Sequence, residues 1–97
     1  MLLGGGFLLN DLFKALADPT RRKILDLLKE RDLTAGEIAS HFNMSKPSIS
    51  QHLNILKQSN LVKNRKEGKY VYYTLNTTVV QDILNWLISI KIGEENK

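Results

Sequence analysis

Apolar positions along this chain follow a helical period, switch to a strand-like stretch, and then return to a helical period. Over residues 10–17, Leu12, Phe13, Leu16 and Ala17 fall on one helical face, with Leu8 and Leu9 extending the pattern. Asp18-Pro19 interrupts it. Asp18 suits an N-cap, and Pro19 is tolerated in a first helical turn, where its missing N–H leaves no bond unmade. A second helix is predicted from Pro19 to about Lys29 on Ile24, Leu25, Leu27 and Leu28, with Glu30-Arg31-Asp32 as the polar link out.

Thr34 and Glu37 have the spacing of a capping box, in which each side chain satisfies the other residue's backbone N–H. The third helix then buries Ile38, Ala39 and Phe42. Its end is predicted near Asn43, a residue type that tolerates left-handed backbone. Ser45 caps a fourth helix from about Lys46 to Ser59, with Pro47 in its first turn. Ile49, Leu53 and Leu56 make one apolar stripe, flanked by Ile55. The other face carries Lys46, Ser48, Ser50, Gln51, Asn54, Lys57 and Gln58, with no acid.

Residues 61–67 and 69–75 read as two strands, enriched in β-branched and aromatic side chains. Glu67-Gly68-Lys69 forms the hairpin loop between them, with Gly68 free to take positive φ. Asn76 or Thr77 caps a fifth helix to about Ile92. Val79, Val80, Ile83, Leu84, Trp86, Leu87, Ile88, Ile90 and Ile92 make that helix apolar on more than one face. Such a helix is buried on two sides, and in so small a domain a second copy of the chain covers the second side most economically.

The predicted architecture is mainly α with a two-stranded β wing: a winged helix-turn-helix of five helices that dimerises through its first and last. Residues 10–92 form the domain. Residues 1–9 are expected as a disordered or partly helical extension and 93–97 as a disordered tail. MLLGGGFLLN lacks a cationic leader and is too short to span a membrane. No other run is long enough to span, so a cytoplasmic location is expected.

Composition sharpens this picture. A chain of 97 residues buries only about 65% of its unfolded surface, which makes a dimer interface useful. The net charge is +4, yet residues 45–73 hold Lys46, Lys57, Lys63, Arg65, Lys66 and Lys69 against Glu67 alone, a net of +5. A basic stripe beside a near-neutral remainder is the electrostatic footprint of a nucleic-acid binder. A carboxylate facing phosphates would be repelled, so an acid-free helix face fits DNA contact.

The chain has no cysteine and two histidines, His41 and His52. With scattered acids and no glycine-rich phosphate loop, no nucleophile or acid–base set is evident, and an enzyme is not expected. Neither histidine has a metal-ligand partner at suitable spacing. The chain also lacks the aromatic platform of a single-strand RNA binder. The serious alternative to a DNA reader is a winged-helix module that binds protein.

The ordered set Asp18-Pro19-Thr20-Arg21-Arg22-Lys23-Ile24-Leu25, Leu33-Thr34, Ile38-Ala39, Ser45 to Leu53, Leu56, Leu61-Val62, Arg65-Lys66-Glu67-Gly68 and Tyr72-Tyr73 resembles the ArsR-type winged-helix repressors over roughly residues 10–90. It is most similar to an autorepressor subgroup of that family. The resemblance implies a homodimer paired through the first and fifth helices, here by Leu12, Phe13, Leu16, Val79, Ile83, Trp86, Leu87 and Ile90. It also implies a fourth helix that enters the major groove of a double-stranded operator.

Within that frame Ser48, Ser50 and Gln51 are the candidates for base edges, since glutamine pairs bidentately with adenine and serine with either partner. Lys46 is assigned to phosphate or a base, Asn54 joins the DNA-binding set, and Arg65, Lys66 and Lys69 are assigned to phosphate or the minor groove. His52 either packs against a neighbouring helix or touches DNA. Arg21 and Arg22 either reach the DNA backbone or pair with a local acid. Family members that sense metals use third-helix cysteines or fifth-helix Asp and His pairs. This chain has Gly36-Glu37-Ile38-Ala39 in the first place and Asp82 alone in the second, which implies a member without a metal or other cofactor. Relief of repression through a membrane-bound or other protein, or through a small ligand, is left open.

Overall fold

A computed structural model describes residues 9–95. Among them the order is α1 (Leu9–Leu16), α2 (Pro19–Glu30), β1 (Leu33–Thr34), α3 (Ala35–Ala39), α4 (Lys46–Gln58), β2 (Val62–Glu67), β3 (Tyr70–Leu75) and α5 (Thr77–Glu95). Five helices and a small sheet make the expected mainly α winged helix-turn-helix. The expectations for residues 1–8 lie outside the described part.

Local hydrogen bonds explain most helix starts. The Asp18 carboxylate accepts from the Arg21 backbone N–H at 3.0 Å and starts α2. That bond, above all, holds its carboxyl below the usual carboxylate range. The Thr34–Glu37 capping box is complete, at 3.1 Å and 2.9 Å. Ser45 caps α4 by accepting from the Ser48 N–H at 3.3 Å.

Three features differ from the sequence reading. First, α3 ends at Ala39, not near Asn43. The chain then tightens into turns in which His41 and Phe42 donate to the carbonyls of Ile38 and Ala39, both at 3.0 Å. The left-handed backbone expected at Asn43 sits instead at Asn60, with φ 64°. There the Leu61 N–H donates to the Leu56 carbonyl and the Asn60 N–H to the Lys57 carbonyl, both at 3.0 Å, the pairing of a Schellman cap on α4. Leu61, just beyond, is buried as such caps favour.

Second, the wing belongs to a three-stranded antiparallel sheet in the order β1-β3-β2. Leu33 pairs with Tyr73 and Thr34 with Tyr72, so the residues that open α3 also anchor the hairpin. Gly68 turns the hairpin with φ 63°. Third, α5 runs to Glu95, past the expected end at Ile92.

The core lies where the inner faces of the helices meet the base of the sheet. Ile24, Leu28, Leu33, Ile38, Ile49, Leu53, Leu56, Leu61 and Val62 fill it. Leu12 and Val79 belong to it as well, only 1% and 2% exposed. Both are expected at a dimer surface; within one chain they are buried in its own core. Ile83 and Leu16 pack partly against the same core. Trp86 lies 6.3 Å from the Phe13 ring at a tilt of 47° and closes α5 onto α1. A second stripe of α5 stays open, with Val80, Leu84, Leu87, Ile88 and Ile90 all exposed.

Candidate nucleic-acid interface

Burial divides α4 sharply. Ile49, Leu53 and Leu56 are 0% exposed. Ser50, Gln51 and Asn54 are exposed, and Lys57 and Gln58 continue their ridge at spacings of three and four. None carries negative charge. Ser48 is half-buried, and its hydroxyl oxygen accepts from the Ser45 hydroxyl at 3.0 Å. Lys46 is exposed, and its Cε and Nζ each lie 3.8 Å from where a Cβ on Gly36 would stand. The helix thus exposes Lys46, Ser50, Gln51 and Asn54 together, with Ser48 set back toward the cap.

The wing residues do not act as one group. Strand alternation puts Lys63, Arg65 and Glu67 on one face and Asn64 and Lys66 on the other. The Arg65 Nε donates to Glu67 at 2.9 Å, and its Nη1 bonds Asp32. The guanidinium lies 5.1 Å from the Tyr72 ring centre. Bonds first to Glu67 and then to Asp32 raise the Arg65 pKa. The bond from Arg65, followed by one from Thr74, lowers that of Asp32. Arg65 thus ties the wing to the α2–β1 link through two carboxylates. Among the described residues Lys63, Lys66 and Lys69 have no carboxylate within ion-pair distance. The Lys69 ammonium sits 5.6 Å from the Tyr70 ring. Lys63, which the sequence assignment did not include, shares the face of Arg65 and Glu67, opposite Lys66.

His52 and the two arginines of α2 have structural places. Arg21 donates from Nε to the Ala15 carbonyl at 2.8 Å and from Nη2 to the Lys14 carbonyl at 3.0 Å. Arg22 donates to the Leu16 carbonyl at 2.8 Å. Together they bond the Lys14, Ala15 and Leu16 carbonyls at the end of α1, the first of which also accepts from the Ala17 backbone N–H. The third Arg21 edge meets His52 Nδ1 at 3.1 Å. A guanidinium only donates, so Nδ1 is the acceptor and the ring carries its proton on Nε2. Among the described residues neither Arg21 nor Arg22 has a carboxylate within ion-pair distance, so the pairing with a local acid is not formed.

Among the described residues no group of three or more His, Cys, Asp or Glu is arranged to hold a metal ion. No helix there is long and apolar enough to cross a membrane.

Comparison with known proteins places this geometry. Residues 18–64, from the α2 cap into β2, match the family described as bacterial regulatory protein, arsR family. The transcriptional repressor SdpR of Bacillus subtilis is 62% identical over 81 residues, spanning 84% of this chain and 90% of that one. The chain belongs to the ArsR family. The transcriptional activator HlyU of Vibrio cholerae is 40% identical over 76 residues, 78% of this chain and 70% of that one. A crystal structure of an ArsR family transcriptional regulator, RHA00566, superposes with a TM-score of 0.81 at 31% identity, over 92% of each chain. As an ArsR-family transcriptional regulator the protein binds DNA and is not an enzyme.

Proposed function

We propose that this protein is a homodimeric, sequence-specific repressor of a short inverted repeat, and that its own promoter is among its targets. The observation that carries this reading is the division of α4: three side chains wholly buried on one face, an acid-free polar face on the other. Seated in a major groove, that face offers Gln51, Ser50, Asn54 and the Ser48 hydroxyl to base edges. Lys46 and the wing lysines Lys63, Lys66 and Lys69 supply phosphate contacts. Repression needs only occupancy of a promoter, and the similarity to SdpR, itself a repressor, supports it.

The open stripe of α5, with Phe13 beside it, is the surface we assign to the second copy. Val80, Leu84, Leu87 and Ile88 are all more than a third exposed on a helix whose opposite side is already packed. Relief of repression then falls to a protein or small-ligand partner, not to a metal held by cysteine, since the chain has none.

Selection from a random duplex library tests the reading. The protein should enrich an inverted repeat whose half-site centres lie about 34 Å apart, one turn of DNA. Enrichment of a lone half-site would remove the dimer from the account. No enriched sequence at all would leave a winged helix that binds protein.

A further inference from the structure

Arg21 joins three helices through one side chain. Its Nε and Nη2 hold the last carbonyls of α1, its backbone N–H meets the Asp18 cap of α2, and its Nη1 reaches His52 in the middle of α4. His52 is adjacent to Gln51 in sequence but points away from the exposed ridge. Its side chain is 19% exposed, and its Nδ1 lies 3.9 Å from Asp18. Every link in this chain is a hydrogen bond of ordinary length, and each end serves a different task. Phe13 of α1 packs on Trp86 of α5, the helix that carries the open apolar stripe. His52 sits on the helix whose other face is open to DNA.

We propose that Arg21 and His52 form a strut that fixes the recognition helix relative to α1, whose Phe13 meets Trp86 of α5, and so sets which half-site spacing the dimer accepts. Both are positioning residues: neither touches a base. Burial of Ile49, Leu53 and Leu56 holds α4 in the core through non-directional contacts. The bond from its midpoint through Arg21 to the end of α1 adds a directional constraint on its rotation and sliding. In a dimer any slack is doubled, because two recognition helices meet one duplex. The inference rests on the proposed dimeric reading of DNA.

The test uses the full chain and the inverted repeat it enriches from a random library, with and without one base pair inserted at the centre. Wild-type protein should bind the lengthened site about tenfold or more weakly. His52→Ala removes the acceptor; it should shrink that spacing penalty to about threefold or less. Preference for the half-site itself should remain, because Ser50 and Gln51 are untouched. His52→Asn, which offers an amide oxygen near the position of Nδ1, should restore the penalty. If His52→Ala does not fold, Arg21→Lys carries the same test, since an ammonium lacks the planar fork that serves three partners.

A spacing penalty that survives His52→Ala or Arg21→Lys intact overturns the strut. So does His52→Asn behaving like His52→Ala, because the acceptor would then not be what matters. A wild-type protein with no spacing penalty would fail before any variant is compared, and would overturn the dimeric reading along with the strut.

Discussion

Gln51 and Lys69 separate the two kinds of contact a DNA reader needs. Gln51→Ala removes a side chain suited to a base edge. It should cost on the order of 1–3 kcal/mol on the enriched repeat and much less on random DNA. Equal loss on both would remove it from the base contacts. Lys69→Ala should weaken binding to every sequence and flatten the salt slope by about one unit. Arg65→Gln is the contrasting case: its charge is already offset by Glu67 and Asp32, so the slope should hardly move. A full unit lost there would return Arg65 to the phosphate contacts. The Asp32 carboxyl, held low by Arg65 and Thr74, adds a pH signature. Its contribution to stability is present above its ordinary value of 3.8 and fades as pH falls through its lower folded value. Thermal melts from about pH 7 down to about pH 2 should show Asp32→Asn closing its gap to wild type in acid. A constant gap would mean that the carboxylate charge is not what anchors the wing. Sequence identified which side chains lie exposed on α4, because one helical period decides that. It grouped Arg65 with the lysines, because its clamp needs Asp32, thirty-three residues away.

Element ends show which signals travel through sequence and which do not. The caps at Asp18, Thr34 and Ser45 were legible, since each is a bond between a side chain and a backbone N–H three residues on. The short α3 was not, because its pattern continues through Phe42 although the backbone has left the helix. Nor was β1: a strand of two residues has no period, and its partner is β3, far along the chain. Asparagine occurs at both helix ends, and the left-handed turn belongs to Asn60, where the next residue is buried leucine. That site makes a direct prediction. Asn60→Gly should leave urea stability unchanged or slightly higher, whereas Asn60→Val should lower it by about 1–2 kcal/mol. No loss with valine would mean that the cap relaxes to another backbone shape.

At the scale of the whole molecule, one apolar helix serves two surfaces, and sequence periodicity cannot say which is internal. The family resemblance implies Leu12 and Val79 at the interface, yet within one chain both are buried in its own core. What remains is the stripe through Leu84 and Leu87, 47% and 51% exposed. Leu87→Glu should therefore shift the protein to monomer in sedimentation while leaving its helix content intact. A dimer that persists would place the interface elsewhere. Loss of the dimer should also weaken operator binding, since each monomer carries a single recognition helix. The most direct test of the central claim is fluorescence anisotropy on the duplex upstream of the protein's own gene, against a scrambled duplex, across a salt series. The account predicts a steep salt dependence on both duplexes and a preference of about a thousandfold or more for the native one. Steep salt dependence without preference would contradict self-repression, and no binding even at low salt would contradict DNA recognition by α4 altogether.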